Sequence, residues 1–352
     1  MEHPMTAAIV TTSNANTGAI AEYNQAVAAA GAVANDYAAA AAFADYTSRK
    51  SNNTVRSQHA DLATWANFYS AMGIVATADQ LQTTPQSWHG VTWGMVAAFT
   101  KWMLSEGYAI STINRKLSTV KVYAALAAKS GVISADEMQM IKAVTGYSHA
   151  ESKRINERRT RSRVSTKKQA HTAISASQAA ELRKRQNDTP QAARDSLIMA
   201  LLLDHGLRVG EVAGLKRHDF DWEAGTFSFY RPKVDATQTH RMTAATRAAF
   251  VAYVIAGAPT SGQLLRSSRK NGELGKPGMS ERAITARVGV LGRSLGIDGL
   301  SAHDCRHYWA SQAARSGTDA FALRDAGGWS SLAMPSRYVE AAAIANSGVK
   351  LE

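Results

Sequence analysis

Four short segments in the second half of the 352-residue chain contain the side chains best suited to chemistry. Arg208 and Arg306 lie in two of them, and an arginine guanidinium stays protonated and offers a planar fork for two parallel hydrogen bonds to a phosphate. One contains a tryptophan, whose indole N–H donates to an oxygen but cannot move a proton. Two arginines and an indole therefore favour a phosphate site. The segments are 206–211, the turn around Lys233, 303–307 and 327–338.

The order and spacing of these segments resemble the catalytic signature of the tyrosine recombinases, also called the phage integrase family. That signature begins with an arginine and a carboxylate three residues on, matched here by Arg208 and Glu211. A lysine in a hairpin follows, matched by Lys233, and then an HxxRH motif, matched by 303–307. Each segment alone is a weak signal, but the ordered set is specific.

The signature ends with a histidine or tryptophan and, nine residues further on, a tyrosine, matched by Trp329 and Tyr338. The Gly-Gly-Trp form of this last motif is similar to that of Cre recombinase, a member of the family. The resemblance covers about residues 172–345 and extends less specifically to a helical core-binding domain before them. A single tyrosine or tryptophan at such a position usually packs in a core, so the interpretation depends on the whole set.

The resemblance implies that the chain cuts and rejoins DNA strands without a metal, a cofactor or ATP. A tyrosine would attack a DNA phosphate, form a 3′-phosphotyrosyl link that conserves the bond energy, and release a 5′-hydroxyl. Two rounds of exchange would pass through a Holliday junction. His307, the last residue of the HxxRH motif, can cap or pack and receives no catalytic role. The implied catalytic set is Tyr338 as nucleophile, Lys233 as general acid, Arg208, Arg306, His303 and Trp329 at the phosphate, and Glu211 as a partner of the arginines.

The composition is typical of a DNA-binding protein. Lysine and arginine total 40 against 28 aspartates and glutamates, so the net charge of +12 favours a polyanionic partner. The single cysteine, Cys305, excludes an internal disulfide and a metal site built from several cysteines. We find no apolar run long enough to cross a membrane and no signal peptide. We therefore expect no membrane partner and a cytoplasmic, nucleoid-associated protein of a bacterial, phage or archaeal system.

Charge is unevenly distributed and predicts four regions. Residues 1–48 are alanine-rich, contain four acidic and no basic residues, and are expected to be a tail or a contact helix. Residues 49–150 are expected to form a helical core DNA-binding domain. Residues 151–171 read as a basic linker, with eight cations between 151 and 168. Residues 172–352 are expected to form the catalytic domain and to end in an oligomerisation segment.

Apolar spacing predicts a mainly α fold, with an N-terminal helical domain followed by an α+β catalytic domain that contains a small antiparallel sheet. Thr54 is expected to cap the first helix of the helical domain. In the second domain Phe227 and Phe229 alternate with polar residues, which predicts a strand, and 237–242 predicts its return. By resemblance this is the DNA breaking-rejoining fold of the tyrosine recombinases.

The resemblance also implies the partners. We expect double-stranded DNA with inverted-repeat sites, a homotetramer assembled on that DNA, and C-terminal docking onto the next subunit with Ile344 and Val349 as anchors. The sequence does not identify a directionality factor. Basic residues in the helical domain, the linker and the catalytic domain are candidate DNA contacts, namely Arg115, Lys116, Lys121, Arg158, Arg159, Arg161, Arg282 and Arg287.

Three other functions stay open at this point. A type IB topoisomerase shares the chemistry but would relax any supercoiled duplex as a monomer. A DNA-binding protein that has lost catalysis would be unaffected by replacement of Tyr338 with phenylalanine. A zinc hydrolase is suggested by the two-histidine spacing of 303–307, although that motif has a glutamate after the first histidine, where this chain has Asp304.

Overall fold

The computed structural model describes residues 4–158 and 171–343. The chain divides into two compact units, Met1–Lys167 and Lys168–Glu352. Both units are mainly helical, and among the described residues all strands lie in the second. The predicted fold class is therefore confirmed.

The first unit is built around an aromatic core. Trp65, Trp88, Phe99 and Tyr123 are fully buried, and the Trp65 ring lies 6.2 Å from Trp88 and 4.8 Å from Phe99 between centroids. Large rings of this kind bury much apolar area in one place. The helices of this unit are α1 (Pro4–Ser48), α2 (Asn52–Ala71), α3 (Ala78–Thr83), α4 (Trp93–Ser105), α5 (Ile110–Lys129), α6 (Ala135–Ala143) and α7 (His149–Arg158).

Side-chain caps set where the helices of the first unit begin. Ser51, not Thr54, caps α2, and the Thr54 N–H donates to Ser51 Oγ at 3.3 Å. The prediction for Thr54 was wrong because both residues are good caps, and the helix begins one turn earlier than the apolar pattern does. Ser134 caps α6 and accepts from the Glu137 N–H at 3.2 Å.

Helix α1 is exposed over most of its described length. Residues 18–38 are exposed, and packing begins near Phe43, which is buried. Gly18–Ser48 has the length and mean hydropathy of a membrane span, which corrects the expectation that the chain contains no such run. Alanine supplies that hydropathy, and one such helix near an N-terminus is only a weak indication of a membrane segment. Glu22 and Asp36 lie within it, and carboxylates are costly inside a bilayer.

The second unit packs around α9 (Pro190–Asp204), in which every residue from Ala192 to Leu203 is buried. Thr189 caps this helix and Pro190 occupies its first position, as the sequence predicts. Proline is tolerated at this position, because the N–H that it lacks would have no hydrogen-bond partner within the first turn of the helix. The other helices are α8 (Ala176–Arg183), α10 (Val209–Gly214), α11 (Ala244–Ile255), α12 (Glu281–Ser294), α13 (Ala302–Arg315), α14 (Ala320–Gly327) and α15 (Ala333–Ala342).

Among the described residues of the second unit, five short strands form two antiparallel sheets. The first sheet has the order β1-β2-β3, and the second is the hairpin β4-β5. The sequence predicts two of the three strands of the first sheet but neither its two-residue strand nor the second sheet, because strands of two to four residues are too short to show a periodic pattern. The strands are β1 (Phe220–Asp221), β2 (Thr226–Arg231), β3 (Ala236–Arg241), β4 (Arg266–Ser268) and β5 (Leu274–Pro277).

The β2-β3 hairpin presents a lysine. Phe229 pairs with Gln238 and Arg231 with Ala236, so residues 232–235 form the turn. Lys233 lies in this turn, where the sequence places it, and is exposed.

Candidate active site

Arg208 and Glu211 form a reciprocal pair at the start of α10. Arg208 is the N-cap, and its backbone N–H donates to Glu211 Oε2 at 2.7 Å. Its guanidinium donates to Glu211 Oε1 at 2.9 Å. The Glu211 side chain is buried, whereas that of Arg208 is one-quarter exposed. The buried carboxylate therefore orients an arginine that still reaches the surface.

Arg231 is a second partner of Glu211 that sequence reasoning missed. Its side chain is fully buried, and its Nη1 lies 3.0 Å from each Glu211 oxygen. Its guanidinium also donates to Gln238 Oε1 at 2.5 Å, to the Gly327 carbonyl at 3.0 Å and to the Ala326 carbonyl at 2.7 Å. Burial, only partly offset by Glu211, lowers the pKa of Arg231. Arg231 therefore links the lysine hairpin to the segment before the tyrosine helix.

The strand pattern contains the signal that would have found Arg231. Phe227, Phe229 and Arg231 are the buried residues of β2, and they alternate with less buried ones. The alternation predicted from the sequence stops at Phe229, so Arg231 falls in the segment predicted to turn around Lys233. One further step of the two-residue period places the arginine on the inner face.

Arg306 is the most deeply placed of the predicted phosphate ligands. It lies in α13, is 4% exposed, and donates to the Gly206 carbonyl and, at 2.6 Å, to the Gly327 carbonyl. Its guanidinium lies 4.2 Å from the centre of the Trp329 ring, a cation–π contact. Burial, reinforced by the positive charges of Arg208 and Arg231, lowers the pKa of Arg306 to about 9. The guanidinium stays protonated at neutral pH.

The Gly-Gly turn between α14 and α15 receives hydrogen bonds from three arginines. The Gly327 carbonyl accepts from Arg231 and Arg306, and the Gly328 carbonyl accepts from Arg208 at 3.0 Å. Gly328 has φ +59, and a Cβ there would lie 2.5 Å from Arg231 Cδ. Glycine is required because the backbone is left-handed and the arginine lies against it.

The predicted phosphate ligands and the lysine face one cleft of about 630 Å³. Glu211 does not line the cleft and instead contacts Arg208 at its edge. The hairpin supplies the lysine, α13 supplies the histidine and one arginine, and the Gly-Gly turn supplies the indole. The predicted residues that line the cleft are Arg208, Lys233, His303, Arg306 and Trp329.

Tyr338 lies on α15 beside this cleft. Its ring centre is 6.0 Å from that of Trp329, and its hydroxyl is 2.6 Å from His307 Nδ1. Burial raises the pKa of Tyr338, and the nearby charge of Arg306 opposes the rise. The hydroxyl is therefore protonated at neutral pH. The contact with His307 is a second feature that the sequence analysis missed, because the HxxRH pattern does not show which helix faces that histidine.

The three predicted DNA contacts in α5 are bound to the protein itself. Lys116 is buried, with Nζ 3.2 Å from Asp61 Oδ1 and 2.7 Å from Thr64 Oγ1. The prediction that it faces DNA was wrong, because the helix face that appears polar in the sequence packs on the buried carboxylate of α2. Arg115 also contacts Asp61, at 2.6 Å, but its side chain is about half exposed. The Lys121 ammonium donates to the Lys142 carbonyl at 2.8 Å.

Among the candidate DNA contacts of the second unit and the linker, one is held in an ion pair and two are exposed. Arg287 Nε lies 2.6 Å from Asp195, and its side chain is about one-quarter exposed, so it joins a buried ion pair rather than an open face. Arg282 and Arg158 are exposed. Several predicted residues lie outside the described residues, namely Arg159, Arg161, Ile344 and Val349.

The two histidines of the HxxRH motif contact one another. His303 Nε2 and His307 Nε2 are 3.1 Å apart. Over residues 4–158 and 171–343, no group of three or more histidine, cysteine, aspartate or glutamate side chains is arranged to hold a metal ion.

Comparison with known proteins identifies the family and the fold. Residues 163–343 match the family model described as the phage integrase family. The tyrosine recombinase XerC of Mycobacterium sp. (strain KMS) is 26% identical over 256 residues, which cover 70% of this chain and 78% of the relative. A lambda integrase dimer bound to a COC′ core site is similar in fold, with 14% identity, a TM-score of 0.57, and coverage of 88% of this chain and 95% of that one. The Tn1549 transposon integrase in complex with transposon right end DNA is also similar in fold, with 15% identity and a TM-score of 0.57. The match covers 85% of this chain and 94% of that one. The chain therefore belongs to the phage integrase family, the tyrosine recombinases.

Proposed function

We propose that the chain is a site-specific DNA recombinase that cuts and rejoins strands through a 3′-phosphotyrosyl intermediate and a Holliday junction, without metal or ATP. The observation that carries the proposal is the convergence of two arginines, a histidine, an indole and a lysine on one cleft, with a tyrosine beside it. This set supplies a phosphate clamp, a nucleophile and a proton donor.

The arginines stabilise the charge that develops during cleavage. Attack on a phosphodiester places negative charge on the two non-bridging oxygens, and fixed cationic donors lower the energy of that state. The carbonyls of Gly206, Gly327 and Gly328 hold Arg208 and Arg306 in place through some of their N–H groups. Each guanidinium has five N–H groups, so others are available to the phosphate. The clamp is preorganised, because no arginine has to be ordered when DNA binds.

Tyr338 and Lys233 carry the covalent step. The Tyr338 hydroxyl gives up its proton to a base as its oxygen forms a bond to phosphorus, the bond from phosphorus to the 5′-oxygen breaks, and that oxygen takes a proton from the Lys233 ammonium. Lys233 lies on an exposed turn at the cleft, so it can approach a leaving group on bound DNA. The 5′-hydroxyl of a partner strand reverses the step.

Strand exchange between two duplexes requires four subunits. We propose a homotetramer on DNA with inverted-repeat sites, with the C-terminal segment docking on a neighbouring subunit. The helical domain of the first unit and the basic linker would contact the duplex, and binding should weaken steeply with salt as phosphates are neutralised. An enzyme of this kind acts where the chromosome is, which favours a cytoplasmic location.

A trapping experiment tests the proposal without knowledge of the site. The full chain is incubated in chelator with a pool of nicked random-sequence duplexes, denatured, and the DNA bound covalently to protein is sequenced. We expect adducts enriched for an inverted repeat, absent with Tyr338→Phe and retained with the control Tyr37→Phe, whose side chain is exposed on α1. Adducts without sequence preference would indicate a type IB topoisomerase instead. Absence of adducts, with salt-sensitive DNA binding intact, would indicate a protein that only binds DNA.

A further inference from the structure

The last histidine of the HxxRH motif lies between the tyrosine and the first histidine. His307 Nδ1 is 2.6 Å from the Tyr338 hydroxyl, and His307 Nε2 is 3.1 Å from His303 Nε2. Both ring nitrogens of His307 are therefore hydrogen-bonded, one to a hydroxyl and one to a second imidazole. Contacts of this length are within the range that proton transfer requires.

The two contacts restrict how the protons are arranged. A neutral imidazole has one N–H and one acceptor nitrogen. If Tyr338 donates to His307 Nδ1, then His307 Nε2–H donates to His303 Nε2, and the His303 proton is on Nδ1. In this arrangement a proton that leaves the phenol enters a ring whose other nitrogen already has a hydrogen-bond acceptor.

The surroundings of His307 favour its neutral form. On its own helix it faces His303, Asp304 and Arg306, and from the segment before α8 the His171 ring stacks on it with centroids 5.0 Å apart. Burial, reinforced by His303 and His171, lowers the pKa of His307, and Asp304 opposes the change. The Asp304 carboxylate accepts from Ser301 and from the Thr172 N–H. From α15, Tyr338 also faces His307.

We propose that His307 is a catalytic residue that receives the proton of Tyr338 when DNA is cleaved and returns it when strands are rejoined. In cleavage the tyrosine oxygen bonds to phosphorus as its proton moves to His307 Nδ1, and the imidazolium keeps its Nε2–H bond to His303. The 5′-oxygen leaves with a proton from Lys233. Rejoining reverses each transfer, so no further reactant is needed. This inference rests on the proposed function.

Single-turnover cleavage tests the inference, with a nicked duplex that carries the half-site found by trapping. In His307→Asn the amide oxygen can still accept from Tyr338 but cannot take a proton. We expect cleavage to slow by about 10²–10⁴-fold with DNA affinity and thermal stability unchanged. The control His218→Asn, at an exposed histidine of the same unit, should cleave like the unmodified protein.

The pH profile separates a proton acceptor from a packing residue. The unmodified protein should lose cleavage as the pH falls through the pKa of His307, because the imidazolium cannot accept a proton. Burial places that pKa below the usual value of about 6.5. His307→Asn should lack that acid limb. A 5′-bridging sulfur, whose thiol pKa of about 8.5 makes it a leaving group that needs little protonation, should rescue Lys233→Ala but not His307→Asn.

Two results would overturn the inference and leave the proposed function standing. One is cleavage by His307→Asn at the original rate or faster, which would mean that His307 only holds Tyr338 in a resting position. The other is an Nδ1–H tautomer of His307 in the full chain, read from histidine ¹⁵N shifts at neutral pH. Absence of adducts with the unmodified protein would instead reject the proposed function, and the proton transfer with it.

Discussion

Each unit buries a group of charges around one carboxylate, and the two groups differ in where the excess positive charge lies. In the first unit Asp61 contacts Lys116, which is buried, and Arg115, which is about half exposed. Water therefore solvates one of the two cations. In the second unit Glu211 contacts Arg231, which is fully buried, and Arg208, which is one-quarter exposed. Here less of the excess positive charge is exposed to water.

Arg306 adds a third cation to the second group without adding a carboxylate. Backbone carbonyls of Gly206 and Gly327 accept its hydrogen bonds, and their dipoles compensate only part of a full charge. Burial, reinforced by the positive charges of Arg208 and Arg231, lowers the pKa of Arg306 to about 9. A buried cationic excess is costly unless a ligand brings negative charge, so we propose that the second group is organised for a phosphate, whereas the first joins α2 to α5.

The largest difference should appear when each carboxylate is neutralised. Glu211→Gln leaves two arginines that cannot lose a proton, and we expect the free energy of unfolding to fall by about 3–5 kcal/mol. Asp61→Asn should cost less, because Lys116 can deprotonate and burial already lowers its pKa. Urea denaturation of both variants measures the two losses. Equal losses would mean that the type of cation does not matter and would contradict the proposed difference between the two groups.

Acid should destabilise the second unit through His205, which is buried, and His240, which is half-buried. Burial, reinforced by His240, lowers the pKa of His205 to about 3, and burial with the charge of Arg231 lowers that of His240 to about 4. Both pKa values are near 6.5 in the unfolded chain, so the unfolded state binds more protons between these limits. Stability is then full above about pH 6.5 and falls on acidification by up to about 1.4 kcal/mol per pH unit for each histidine.

Urea midpoints at neutral and acidic pH check this slope. His205→Gln should flatten it, whereas His218→Gln, at an exposed histidine, should leave it unchanged. A slope that stays the same in His205→Gln would mean that other groups cause the acid sensitivity.

Substituting two glycines of positive φ distinguishes the cost of backbone strain from the cost of crowding an arginine. Gly73 has φ +78 and open space where a Cβ would lie, whereas a Cβ on Gly328 would lie 2.5 Å from Arg231 Cδ. Gly73→Ala should cost about 1–2 kcal/mol of stability through its backbone alone. Gly328→Ala should cost more and should also slow DNA cleavage, because it displaces an arginine that bonds to Glu211. Thermal unfolding and single-turnover cleavage measure both. A cleavage rate unchanged in Gly328→Ala would show that Arg231 does not position the site.

The smallest effect should follow loss of the exposed cation of the first group. Arg115→Ala removes an ion pair that is about half exposed, and we expect a loss of about 0.2–1 kcal/mol that shrinks in high salt. Urea denaturation at low and high salt measures it. A loss as large as that of Asp61→Asn would show that Arg115 bears the charge of the group, contrary to its exposure.

Much of the fold and the site could be predicted from local patterns. Residues near in sequence decide helix starts such as Ser134 and Thr189, and the alternation of Phe227 and Phe229 indicates a strand. The order and spacing of the four chemical segments were sufficient to identify the family, because the ordered set is specific although each segment alone is a weak signal. The turn that contains Lys233 could also be predicted locally, since the two strands on either side of it are adjacent in the chain.

The sequence by itself thus determined which residue types are available and which short elements hold them, and the tertiary structure decided which charges are buried. Lys116 and Arg231 lie on patterns that appear polar or turn-like until Asp61 and Glu211 are placed opposite them. The role of His307 likewise depends on the packing of α15 against α13. Burial and pairing are properties of groups that meet across the fold, and local propensity contains no information about a partner far away in the sequence.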